Sequence, residues 1–238
     1  MKHQFGPLLC VLLLSACTTI KSLQTVDTVI PCIGSVGTTK GGVFSKEFKK
    51  VGEPKIFGPI EVSLQSTAFT KSTYQSYQKY RENLGKQVST AFTDSSAMAT
   101  RFYELHIVDL VGVKQLLNHE KNADLRSYLE DDRSLSMLTG IAFVADPAQK
   151  QLLESAQHVS LIREDGHLTL QVQQGMGHTE VRMKSLEVFD FETSGFCWQE
   201  NKRNRPEIAV LTRNGEGCPR GTEKSADKLD ETRQYLKL

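Results

Sequence analysis

The apolar positions change period several times along the chain, and each change marks an element. Ile60, Val62 and Leu64 alternate strictly with polar neighbours inside residues 56–69, which predicts a strand. Over 71–92 the period lengthens. Tyr74, Tyr77, Arg81, Leu84, Val88, Ala91 and Phe92 stand three or four apart, the stripe of an amphipathic helix whose tyrosines face the core. Gly85 inside it costs about 1 kcal/mol relative to Ala. Residues 101–111 return to a strand with Tyr103, Leu105 and Ile107 on one face, and 112–130 read as a helix through Val113, Leu116, Leu117, Leu125 and Leu129. The apolar run 135–145 reads as a buried strand. Asp146-Pro147 then starts a helix, with Asp as N-cap and Pro in the first turn, that runs to about Gln157.

A hairpin signal follows. Val159, Leu161 and Arg163 lead to Asp165-Gly166, and Leu168, Leu170 and Val172 lead away; Asp-Gly between alternating runs demands a type I′ turn. Gly175-Met176-Gly177 makes the next turn, and a third meander strand is expected over 181–192. Gly34, Gly37, Gly41 and Gly42 mark residues 34–42 as loop. The charged stretch 219–238 has a thin seam of Ala226, Leu229 and Leu236, a docked tail or helix. The order implies an α+β fold: a mainly antiparallel sheet with helices packed on it and a C-terminal strand meander, with a parallel βαβ unit compatible with the first half. The organisation expected is a signal segment over 1–16, a tether and N-terminal arm over 17–50, one globular domain over 51–218 and the tail over 219–238.

Composition narrows the partners. The chain has 238 residues, 39% hydrophobic and 24% charged, enough for a packed core. A net charge of +1 excludes a general nucleic-acid binder and gives no electrostatic reason to seek anionic lipid.

The first residues carry an address. Lys2 is followed by a mostly apolar stretch from Phe5 to Leu14, about ten residues long, too short to span a bilayer and suited to a secretory leader. Then comes Leu14-Ser15-Ala16-Cys17, which resembles the lipobox of bacterial lipoproteins. The resemblance implies cleavage before Cys17 and diacylglyceryl modification and acylation (palmitate) at Cys17, a membrane anchor. Two or three acyl chains hold a protein stably where one does not. By the Gram-negative sorting pattern, Thr18 in place of Asp implies the outer membrane, facing the periplasm.

Of the other cysteines, Cys10 leaves with the leader. Cys32, Cys197 and Cys218 remain for an oxidising compartment. The hairpin-like segment Pro206–Thr212 and the turn at 214–217 between them favour a Cys197–Cys218 bond, worth about 3 kcal/mol. A bond from Cys32 to either is the alternative.

Few residues point to chemistry. There is no P-loop, Rossmann fingerprint, GxSxG or HExxH, so no cofactor is implied, and no metal is implied by the histidine spacing. His158 and His167 flank the Asp165-Gly166 turn as neighbours across it, and His178 could join them. His106 and Asp109 fall on opposite faces of their strand. Asp190 and Glu192 share a face, as an acid–base pair would, while Glu130-Asp131-Asp132 reads as a solvated helix end. The segment Gly195–Arg205 holds the sole Trp and three bases. Trp198 with Lys202, Arg203 and Arg205 is the candidate site for an anionic or sugar-like ligand; packing around the disulfide is the plainer reading. Together these features describe a lipid-anchored envelope protein acting as an interaction or structural module with an envelope protein partner. A small-ligand or glycan-binding module and an envelope hydrolase are the alternatives.

Overall fold

In a computed structural model of the chain, residues 32–42, 45–86, 101–213 and 215–229 are described. The lipobox and Cys17 lie outside them. Ten strands form one sheet: β1 (Val36–Gly42), β2 (Ser45–Gly52), β3 (Ile60–Ala68), β4 (Arg101–Ile107), β5 (Leu135–Val144), β6 (His158–Glu164), β7 (His167–Gln174), β8 (Gly177–Arg182), β9 (Glu187–Glu200) and β10 (Pro206–Arg213). The helices described in full are α1 (Lys71–Asn83), α2 (Leu110–Asn118), α3 (Ala123–Asp131) and α4 (Pro147–Glu154). The fold is α+β with a mainly antiparallel sheet. The strand order is β10-β9-β5-β4-β3-β6-β7-β8, and the β1–β2 hairpin joins through β1 to β5. Every strand pairing among the described residues is antiparallel, so the described part of the first half holds no parallel βαβ unit.

Local chemistry sets the boundaries. Asp146 accepts from the Gln149 amide at 2.8 Å while the Gln149 side chain returns to the Asp146 amide, a capping box ahead of Pro147. The helix stops at Glu154, short of Gln157, where the Ser155 hydroxyl donates to the Gln151 and Leu152 carbonyls. Asp165 at φ 47° and Gly166 at φ 77° make the β6–β7 turn, as the Asp-Gly pair requires. The stretch 112–130 is not one helix. Asn118 turns away to bond both backbone groups of Ile208 in β10, and Asn122 holds the Lys55 backbone and the Leu116 carbonyl, so a 3₁₀ turn at Glu120–Asn122 separates α2 from α3. Helix α1 ends at Asn83, and the rest of the helix expected over 71–92 falls largely outside the described residues.

Two expectations fail more broadly. Residues 34–42 are not a loop: β1 pairs Val36–Thr38 with β5 and its full length with β2, so part of the expected N-terminal arm belongs to the sheet. Gly37 is there for closeness rather than for turning, since a Cβ on it would stand 2.2 Å from the Lys49 carbonyl oxygen. The strand expected over 181–192 is broken by a 3₁₀ turn at Met183–Ser185. Before the turn β8 pairs with β7; after it β9 crosses to the other half of the sheet and pairs with β5 and β10.

One face of the sheet, with Tyr103, Leu105 and Ile107, packs into the main core. On the other face α1 covers one end, where Phe69, Tyr77 and Phe102 cluster with Phe189. The tyrosine stripe is core-facing, as its period predicts. Burial, and then the charge of Glu187, which accepts its hydroxyl at 3.2 Å, push Tyr77 up to about 12. The folded chain therefore holds this proton more tightly than the unfolded chain does. The sign follows: stability is full below about pH 10 and falls as the pH rises from about 10 to 12. Urea titrations across that window should show the drop, and Tyr77→Phe should make it smaller without abolishing it, since burial also raises Tyr80 and Tyr103.

Candidate functional site

The segment Gly195–Arg205 does not form the surface that its composition suggests. Trp198 is 2% exposed, opposite Ile208 of β10 and bridged through its backbone to Glu223 on the other side, so its ring has no face free for a ligand. Lys202, Arg203 and Arg205 lie in the exposed β9–β10 turn, organised by Asn201, whose side chain accepts from the Arg203 and Arg205 amides. The disulfide joins Cys197 to Cys218 with the Cα atoms 5.7 Å apart. Cys32 is a half-buried thiol outside the disulfide. Burial, then the Glu53 carboxylate, pushes its thiol up, which makes it a poor nucleophile. Glu53 itself closes a latch between the end of β2 and β6. Burial alone would raise its carboxyl, but hydrogen bonds from Lys50 and from Arg163 Nη2, the latter at 2.7 Å, hold it below the usual carboxylate range.

The histidines separate. His158 sits opposite Gln173 and His178 opposite the same Gln173, so these two share one end of the β6–β8 meander. His167 pairs with Glu164 at the other end, about 20 Å away, so it is not a neighbour of His158. Among the described residues no group of three or more His, Cys, Asp and Glu is placed to hold a metal ion. Asp109 caps α2 by accepting from the Gly112 amide at 2.7 Å. His106 instead reaches across β5 to Glu192 at 3.6 Å, over Gly140, where a Cβ would stand 2.7 Å from the imidazole Nδ1. That cross-strand pair depends on register and was invisible in sequence spacing. Glu192 is 63% exposed, and Asp190 pairs separately with Lys46 at 3.5 Å, so the two acids do not act on one another.

A concave feature lies against the β3–β4 face, toward the outer edge of β3. β6 pairs with β3 only at Ile60 and Glu61, then turns away. α4 brings Leu153 and Glu154 up to this stretch of β3 and β4. The wedge between them is a groove of about 540 Å³, within the size range of ligand sites, lined by Leu64, Ser66, Tyr103, Leu153, Ala156 and, at its ends, Arg101 and Glu154. Sequence reasoning missed it, because it arises from the divergence of two strands. Arg101 is fixed on Ser66, donating from Nε to the hydroxyl at 2.7 Å and from Nη2 to the carbonyl at 2.6 Å. On the opposite wall the Tyr103 hydroxyl donates to Glu154 at 3.4 Å, and Lys150 stands 3.8 Å from the same carboxylate. Burial, then Glu154, pushes the Tyr103 phenol up, so it stays a donor.

No protein-family model matches the chain, and no curated protein or solved structure gives a significant match. Among the described residues no helix is long and apolar enough to cross a membrane.

Proposed function

We propose that this is a lipid-anchored bacterial envelope protein, held through Cys17 at an outer membrane with its folded domain in the periplasm, and that it acts as an interaction module for another envelope protein. The observation that carries the interaction reading is the groove beside β3, an open strand edge flanked by a helix and headed by a fixed guanidinium. Such an arrangement is equipped to hold a polypeptide. The address rests on Leu14-Ser15-Ala16-Cys17, and the Cys197–Cys218 bond suits an oxidising compartment. The ligand-platform alternative loses its main residue with the burial of Trp198.

Cells fed an alkyne analogue of palmitate test the anchor. The protein should take up label and stay with membranes after a salt wash, and Cys17→Ala should lose both. A Cys17→Ala chain that remains on washed membranes would show that lipid is not the main attachment.

A further inference from the structure

Resting on the reading of this protein as an interaction module, we propose that the groove takes an extended polypeptide segment carrying a carboxylate, which adds as a strand to the outer edge of β3 with that carboxylate on Arg101. The backbone supports this first. Glu61 gives its carbonyl to the Val108 amide on the β4 side. Alternate residues of a strand point their N–H and C=O to opposite edges, and pairing with β4 continues in register to Ala68. Val62, Leu64, Ser66 and Ala68 therefore direct their backbone groups to the outer edge, where no strand lies among the described residues. An unpaired edge is a template for another chain, and main-chain hydrogen bonds would supply the affinity.

The side chains supply selectivity. The Ser66 carbonyl is one of the outer-edge groups, so the bond from Arg101 Nη2 places the guanidinium at that edge rather than over the sheet. Ser66 takes Nε and one Nη2 hydrogen, which leaves the Nη1 hydrogens without a partner among the described residues. Glu154 across the groove is already met by Tyr103 and Lys150, so Arg101 is the charge that remains to be matched, and a carboxylate matches its geometry. Leu64, Leu153 and Ala156 provide the apolar floor for a side chain of the incoming strand.

The test uses the full mature chain with its disulfide intact and a displayed library of random heptapeptides with free C-termini. Selection should enrich peptides with an acidic or C-terminal carboxylate at a constant position. Arg101→Gln should weaken the selected peptide about tenfold or more, and Arg101→Lys should recover part of that loss. Amide exchange gives the second readout. In the free chain the amides of Leu64 and Ser66 should exchange faster than those of Ser63 and Gln65, which pair with β4, and the peptide should slow the first pair alone. No enrichment, or binding unchanged by Arg101→Gln, overturns the proposal. So does equal protection of both pairs in the free chain, which would mean the edge is already filled by the protein's own chain. Either failure leaves the palmitate and partition results untouched, so it is distinguishable from failure of the anchored-module reading.

Discussion

Replacing Trp198 with alanine lowers the stability of the folded chain by about 3–5 kcal/mol, the usual cost of removing a buried large aromatic. The ring is 2% exposed and belongs to the main core, and its strand is the hinge between β10 and the segment carrying Glu223. Stabilities of single domains run to about 5–15 kcal/mol, so the variant is left marginal or unfolded at growth temperature. Urea denaturation followed by far-ultraviolet circular dichroism measures this; tryptophan emission serves only the wild type, which has a single Trp. A loss below about 1 kcal/mol would mean that the ring is not packed as described. The expectation reverses the ligand-platform reading, under which the same substitution would abolish binding and spare the fold.

Alanine at both Cys197 and Cys218 costs about 3 kcal/mol, from the chain entropy regained when a cross-link of sequence separation 21 is removed. The bond ties the segment after β10 back to β9, where the Trp198 and Glu223 backbones exchange hydrogen bonds of 2.7 and 2.8 Å and where Ala226 and Leu229 are buried. Loss of the bond should release that segment first, so the Glu223 amide should exchange faster before the rest of the sheet responds. Adjacent residues share one structural unit, so the two substitutions together should cost less than the sum of each alone. An unchanged denaturation midpoint in the double-alanine chain, or a disulfide found on Cys32 by peptide mapping, would contradict this account.

What was legible in the sequence was what depends on neighbours along the chain. Asp146-Pro147 with Gln149, the Asp165-Gly166 turn, and the alternation of Tyr103, Leu105 and Ile107 each carry their own local cause, and each element is present, although the strand expected over 101–111 gives way to a helix after Ile107 and the helix from Pro147 stops at Glu154. The Cys197–Cys218 bond was legible for the same reason, since β9 and β10 are joined by a short turn. The failures are long-range. Glycines in 34–42 read as flexibility, but Gly37 admits the backbone of a neighbouring strand. The alternation through Val181, Met183 and Ser185 continues across a break, because Val181 and Met183 are both buried although the strand has ended between them. Asn118 and Asn122 split a helix whose apolar stripe is unbroken, by bonding to backbone groups in distant parts of the chain.

The candidate site was legible only as types of residue. Trp198 and the bases after it have the composition of a binding surface, yet β9 is buried on both faces here, with Phe196, Cys197 and Trp198 enclosed in succession. The groove beside β3 has no sequence signature, because Arg101, Ser66 and Glu154 come from three elements brought together by the departure of β6.

A photoreactive amino acid placed in living cells at Glu154, on the groove wall, tests the central claim most directly, with the same group at Met176, on the fully exposed β7–β8 turn, as control. The account predicts one dominant adduct with an envelope protein from position 154, none from position 176, and loss of the adduct when Cys17→Ala removes the anchor. Irradiation that yields no adduct at 154, or the same adducts at both positions, would contradict it.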